Sequence, residues 1–168
     1  MSTQRFEHHE QAFQIRNLRE LQHDPYHAQE KLAEPSACAE CGASYHKGRW
    51  TWQKADSYAV LTLCPACRRI KDRCPAGFLT ISGDFYRKHE PEINHLIVNV
   101  ELKEKAEHPL KRVIETHQTA EGQTCMTFTD PQLARAVGEA LYDAYKGDLR
   151  FDYQPGEFLL RVWWTRWA

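Results

Sequence analysis

The 168-residue chain contains no run approaching the eighteen or so consecutive apolar residues that a membrane span requires. Its opening, "MSTQRFEHHEQAF", lacks the apolar core of a secretory signal, and the two absences together predict a cytoplasmic protein with no membrane association. Also missing are a glycine-rich phosphate loop, a strand-to-helix nucleophile elbow and a His-Glu-x-x-His pair, which removes the usual signatures of nucleotide hydrolysis, acyl transfer and metalloprotease chemistry. There is no internal repeat and no low-complexity tract. Aromatic residues are not scarce: five Trp, seven Tyr and seven Phe are more core-forming surface than a disordered chain carries.

What the chain does have is six cysteines, four of them in two close pairs. In a reducing compartment such pairs point to metal or redox chemistry rather than to disulfides. Cys38-x2-Cys41 is followed after 22 residues by Cys64-x2-Cys67. That is the spacing of a structural zinc (Zn2+) site, in which each pair supplies two adjacent tetrahedral ligands. A redox motif needs only one pair, in a thioredoxin-like β-α-β setting that the pattern lacks.

The two pairs differ. In "CAECG" Gly42 permits the tight turn of a knuckle. In "CPACRRIKDR" Pro65 sits where a helix takes its first residue, so Cys64 and Cys67 would share the first turn and point to one side. The positive end of such a helix favours thiolates. A knuckle, a β-hairpin over about Tyr45 to Leu63 and a helix make a treble-clef-like module, with a plain zinc ribbon as the rival. Cys74 reads as a bystander past the helix, Cys125 as a small core residue in a strand, and His46 as outside the ligand set. Four thiolates leave zinc no open position for water, so a catalytic metal, and with it an enzyme, is not expected. An enzyme working at a module junction through Cys74 or Cys125 is the remote alternative.

The formal net charge of −1 conceals a segregation. Residues 42–75 carry Lys47, Arg49, Lys54, Arg68, Arg69, Lys71 and Arg73 against Asp56 and Asp72, a net of +5, whereas residues 1–34 and 76–168 are each net acidic. A loaded tetrathiolate zinc centre subtracts about two charges and leaves the patch positive. Between the pairs, "SYHKGRWTWQK" interleaves Tyr45, Trp50 and Trp52 with bases, as single-strand nucleic-acid binders do. The plainer reading of the two tryptophans is that they cover the metal core. With Ile70 facing the hairpin, Arg68, Arg69, Lys71 and Arg73 should fan over the outer surface of the second ligand helix.

The fold class is expected to be α+β, in four segments. Residues 1–34 form a polar arm with a weak helical stripe at Phe13, Leu18 and Leu21; residues 35–80 form the zinc module, which Pro75 and Gly77 bring to an end. Residues 81–108 hold a connecting helix from about 91 to 107, striped by Ile93, Leu96, Ile97 and Val100 and closed by Pro109. Residues 109–168 read as a β-β-α-β-β unit. Its helix has Asp130 as N-cap, Pro131 at the first helical position, Leu133, Val137, Leu141 and Ala144 on one stripe and Gly147 as the stop. In the last strand Phe158, Leu160, Val162 and Trp164 share one face, and Trp163 lies on the other.

The stretches "YHKGRWTW", "CPACRRIKD", "PAGFLTISGDF", "EKAEHPL" and "TDPQLARAVGEALYDAYKGDL" resemble a small bacterial family defined only by its sequences. That family is in turn similar to the N-terminal zinc region of the nonsense-mediated-decay-three family, an adaptor of the large ribosomal subunit. The resemblance covers about residues 35 to 166 and implies zinc, association with RNA or a ribosomal subunit, and no catalysis. Adaptors of that family carry more Cys-x-x-Cys pairs than the two present here. The expected function is a zinc-stabilised RNA- or ribosome-associated binding protein. Cys38, Cys41, Cys64 and Cys67 would hold the metal, Lys47, Arg49, Arg68, Arg69, Lys71 and Arg73 would contact phosphate, and Trp50 and Trp52 would stack on bases. The alternative is a protein-interaction adaptor docking an acidic partner through the zinc module and Trp163 and Trp167. No small-molecule substrate is expected.

Overall fold

The computed structural model describes residues 24–26, 32–153 and 156–168. The helical stripe expected at Phe13, Leu18 and Leu21 lies outside the described residues. Two sheets divide the molecule, which is mixed α+β with four helices among the described residues.

The smaller sheet is built from β1 (Ser36–Cys38), β2 (Ser44–His46), β3 (Arg49–Thr51) and β4 (Val60–Thr62), in the order β3-β2-β1-β4. Lys47 and Gly48 both take positive φ, 52° and 78°, which suits the tight reversal between β2 and β3 and sets Tyr45 opposite Trp50. The expected hairpin over Tyr45 to Leu63 is therefore corrected: it closes at Thr51. The chain then loops round to the far side of β1, where β4 pairs in parallel, Ser36 opposite Val60. Helix α1 (Pro65–Asp72) follows at once, with Cys64 as its N-cap and Arg73, in the left-handed region, as its C-cap.

The larger sheet contains β5 (Gly77–Ser82), β6 (Val113–Gln118), β7 (Thr124–Phe128), β8 (Asp148–Tyr153) and β9 (Leu160–Thr165), in the order β6-β7-β5-β9-β8. Its centre is β5, antiparallel to β7 and parallel to β9. The boundary drawn at residue 80 thus cuts through the middle strand, and residues 109–168 do not close a sheet without residues 77–82. Alternate burial along "GFLTIS" is the strand signature, with Leu79 and Ile81 buried. Gly77 is not a terminator. A Cβ there would lie 2.8 Å from the Cβ of Ala134, so the glycine admits helix α4 (Pro131–Tyr145) close against the strand.

Helix α4 begins where Asp130 accepts from the backbone N–H groups of Gln132 (2.7 Å) and Leu133 (3.2 Å). Its buried stripe of Leu133, Val137 and Leu141 lies on the sheet, and Gly138 lets Val162 approach. After the short α2 (Asp84–Lys88), α3 (Glu90–Glu107) packs Ile93 and Ile97 into the same core, so this helix is a core layer rather than a connector. Phe128, Leu160, Val162 and Trp164 complete that core, each such side chain contributing about 1.5–3 kcal/mol through burial. The Trp164 indole N–H donates to the Lys146 carbonyl at 2.7 Å, satisfying its one polar atom. No helix among the described residues is long and apolar enough to cross a membrane.

Candidate metal centre

The two cysteine pairs converge. The sulfurs of Cys38, Cys41, Cys64 and Cys67 all lie within 4.8 Å of one another, and the four could hold a metal ion. Cys38 ends β1, and the chain turns back at once, with Gly42 at φ 79° donating its N–H to the Cys38 carbonyl. This turn brings Cys41 round beside Cys38. Cys64 and Cys67 occupy the N-cap and first turn of α1, as Pro65 dictates, and the Cys67 N–H donates to the Cys64 sulfur at 3.3 Å. The Cys64 N–H donates to the Cys38 sulfur at 3.3 Å, so backbone from one half of the site braces a ligand of the other.

One residue that the pattern does not betray completes the centre. Arg112, buried at 8% exposure, reaches in from the loop between α3 and β6. Its guanidinium donates to the sulfurs of Cys67 (3.1 Å), Cys41 (3.1 Å) and Cys64 (3.3 Å), and its Nε donates to the Pro109 carbonyl at 2.8 Å. The Arg112 backbone N–H is itself fixed by the Thr129 hydroxyl at 2.8 Å, just past the end of β7. The loop leading into the larger sheet therefore brings a cation to the cysteine cluster.

Protonation follows these contacts. Burial opposes ionisation of Cys38, yet the backbone N–H groups of Cys64, Cys41 and Glu40 outweigh it and hold the thiol down to about 6. Burial pushes the Cys64 and Cys67 thiols up, in each case against the pull of Arg112. Burial also works against the charge on Arg112, but the Cys67, Cys64 and Cys41 sulfurs more than restore it.

No family model, curated protein or solved structure matches this chain.

The basic residues divide. Lys47, Arg49, Arg68, Lys71 and Arg73 are exposed, with Lys47 at the β2–β3 turn and the last three on or just past α1. Arg69 is not part of that surface. Arg69 is among the buried residues of α1. Its guanidinium pairs with Asp24 (2.8 Å), donates to the Cys74 carbonyl (3.0 Å) and lies 4.2 Å from the Tyr26 ring centroid. It clamps residues 24–26 against the helix instead of facing solvent. Trp50 packs on the cysteine cluster, 5.4 Å from Tyr45, and the Trp52 indole N–H donates to the Lys105 carbonyl at 2.6 Å. Trp50 thus lies where the plainer reading has it, whereas Trp52 is tied to Lys105 and keeps 37% of its surface exposed. Exposed His46 and exposed Cys74 stand apart from the tetrad; half-buried Cys125 lies in β7, 3.7 Å from the Thr80 hydroxyl.

Proposed function

We propose that the chain is a cytoplasmic, non-catalytic zinc-stapled protein that binds RNA, on a ribosomal subunit or free. Zinc is the ion the donor set favours. Four sulfurs select a soft or borderline cation, and the 3.8 Å between the Cys41 and Cys64 sulfurs equals the edge of a tetrahedron with metal–sulfur bonds of about 2.3 Å. Such an ion is closed to water, and its role is to hold knuckle and helix together in a treble-clef-like module.

The observation that carries the RNA reading is the set of basic side chains of residues 42–75 that are exposed once Arg69 is set aside: Lys47, Arg49, Lys54, Arg68, Lys71 and Arg73. Of the two acids in residues 42–75, Asp72 is occupied by the Tyr26 hydroxyl at 2.9 Å. The experiment is to purify the protein at low salt, measure absorbance at 260 against 280 nm before and after nuclease, and locate it in ribosome sedimentation fractions. Nuclease-sensitive absorbance and cosedimentation with a subunit are expected; nucleic-acid-free protein confined to the free pool would refute the reading.

A second reading, an adaptor for an acidic protein, has one observation of its own. Strand β4 is an edge strand whose Val60 and Leu61 are exposed, as is the preceding Tyr58. Such an edge can accept an extended peptide as a further strand. Capture of a single polypeptide by nucleic-acid-free protein would favour it.

A further inference from the structure

The larger sheet buries one face under α3 and α4 and turns another set of side chains the opposite way. On its three central strands that set includes Phe78, Thr80, Cys125, Thr127, Arg161 and Trp163, each one position out of step with the core residues of the same strand. Thr80 lies between Cys125 and Trp163, and Phe78 between Thr127 and Arg161. Both aromatic rings are half-buried, so part of each is open.

The bases of this face are Arg161 on β9 and Arg150 on β8; its acids are Glu115 on β6 and Asp148 and Asp152 on β8, with Asp152 directly opposite Arg161. Two guanidinium groups lie against the rings, Arg150 at 4.4 Å from the Trp163 centroid and Arg161 at 5.1 Å from that of Phe78. The face therefore offers two partly open aromatic rings, each with a guanidinium beside it.

Phe78 and Trp163 sit on neighbouring strands two positions apart in register, which separates their attachment points by roughly 8 Å. Duplex bases stack at about 3.4 Å and cannot place two neighbours on two such platforms. An unpaired strand can splay them. We propose that this sheet face is a stacking surface for two unpaired bases of a single-stranded RNA, with Trp163 and Phe78 as platforms and Arg150 and Arg161 reaching the adjoining phosphates. The inference rests on the RNA reading above and adds to it the place where bases, rather than phosphates, are held. The cationic zinc module then supplies strand attraction, and the sheet supplies preference for unpaired strands.

The test is titration of labelled deca-uridine RNA with the zinc-loaded full chain over a range of salt. Trp163→Leu and Phe78→Leu are each expected to raise Kd about 5- to 150-fold while leaving the slope of log Kd against log salt unchanged. Arg68→Ala combined with Lys71→Ala is expected to flatten that slope by about 0.7 for each phosphate no longer neutralised. Wild-type binding that neither ring variant weakens would overturn the sheet proposal and leave the RNA reading intact; no binding by wild type would overturn both. Because Trp163→Leu could disturb the sheet, wild-type protein should also be photocrosslinked to 4-thiouridine-containing RNA and mapped. Adducts in residues 77–82 and 156–168 are expected, and adducts confined to 42–75 would refute the assignment. Tighter binding of a soluble oligosaccharide than of RNA, abolished by Trp163→Leu, would overturn the choice of occupant.

Discussion

Arg112→Ala is the substitution on which the metal-centre reasoning is most exposed. It deletes a buried guanidinium that donates to three sulfurs and to the Pro109 carbonyl. Counting hydrogen bonds to charged groups at about 1.5–3 kcal/mol each would overshoot, because the four share one cation and water can enter the vacated space. Removing one partner of a buried ionic pair is the better measure, about 3–5 kcal/mol. For a chain of 168 residues that corresponds to a fall in Tm of roughly 6–20 °C. The assay is a thermal melt with one equivalent of zinc, paired with the rate of zinc transfer to a colorimetric chelator. Removing a partner that orients metal ligands should also weaken zinc binding about 10- to 100-fold. Arg112→Lys, which keeps the charge but cannot span three sulfurs, should fall between the two. An Arg112→Ala protein that melts within about 2 °C of the parent and releases zinc at the parental rate would refute the clasp.

Four further outcomes are expected. Cys38→Ser or Cys64→Ser should abolish stoichiometric zinc by elemental analysis, whereas Cys74→Ser should retain it; loss of zinc in the last would remove Cys74 from the bystanders. Arg69→Ala should destabilise by about 3 kcal/mol, through the buried pair with Asp24, without altering the salt dependence of RNA binding; a change in slope would return Arg69 to the phosphate surface. Gly83 has φ +104° and a Cβ there would overlap the Arg166 carbonyl, so Gly83→Ala should cost about 3 kcal/mol or more in a denaturant melt. Gly122→Asn, at φ +77° in open space, should by contrast change stability by less than about 1 kcal/mol. The fourth outcome concerns pH in chelated protein. Cys38, held down to about 6, adds stability that is complete above the ordinary thiol value of about 8.5 and is lost as pH falls through 6. Cys64 and Cys67, pushed up by burial, add stability below the ordinary value and lose it as pH rises further. Chelated protein should therefore be most stable near the ordinary thiol pKa and weaken to either side, whereas zinc uptake, which displaces protons, should tighten steadily with pH. Denaturant melts at about pH 6, 8.5 and 10 check the first; a monotonic trend would contradict it.

The ligand set was legible because metal chemistry is local: a Cys-x-x-Cys turn and a proline-led helix can each be read from a few consecutive residues. Helix α4 was legible for the same reason, its cap, proline and apolar stripe all lying within a short stretch of chain. Strand β5 was hidden by its neighbours. Pro75 and Gly77 look like punctuation, and nothing short-range says that Gly77 exists to admit Ala134. Arg112 was hidden more completely, since its sulfur partners sit 45 to 71 positions away and the local text "PLKRVIE" reads as the start of a strand. The surface assigned to Arg69 failed through a long-range contact too, with Asp24 45 positions away.

The parallel pairing of β5 with β9 joins positions 83 apart, Gly77 to Leu160. On a chain made at about 5–20 residues per second, the middle strand waits roughly 4–17 s for its neighbour to be synthesised. Throughout that interval Leu79 and Ile81 lack the partner that finally shields them, while both cysteine pairs have already emerged. The cysteine tetrad can thus assemble before the sheet closes, and a nascent polypeptide stalled before residue 160 would present it beside an unfinished, sticky strand.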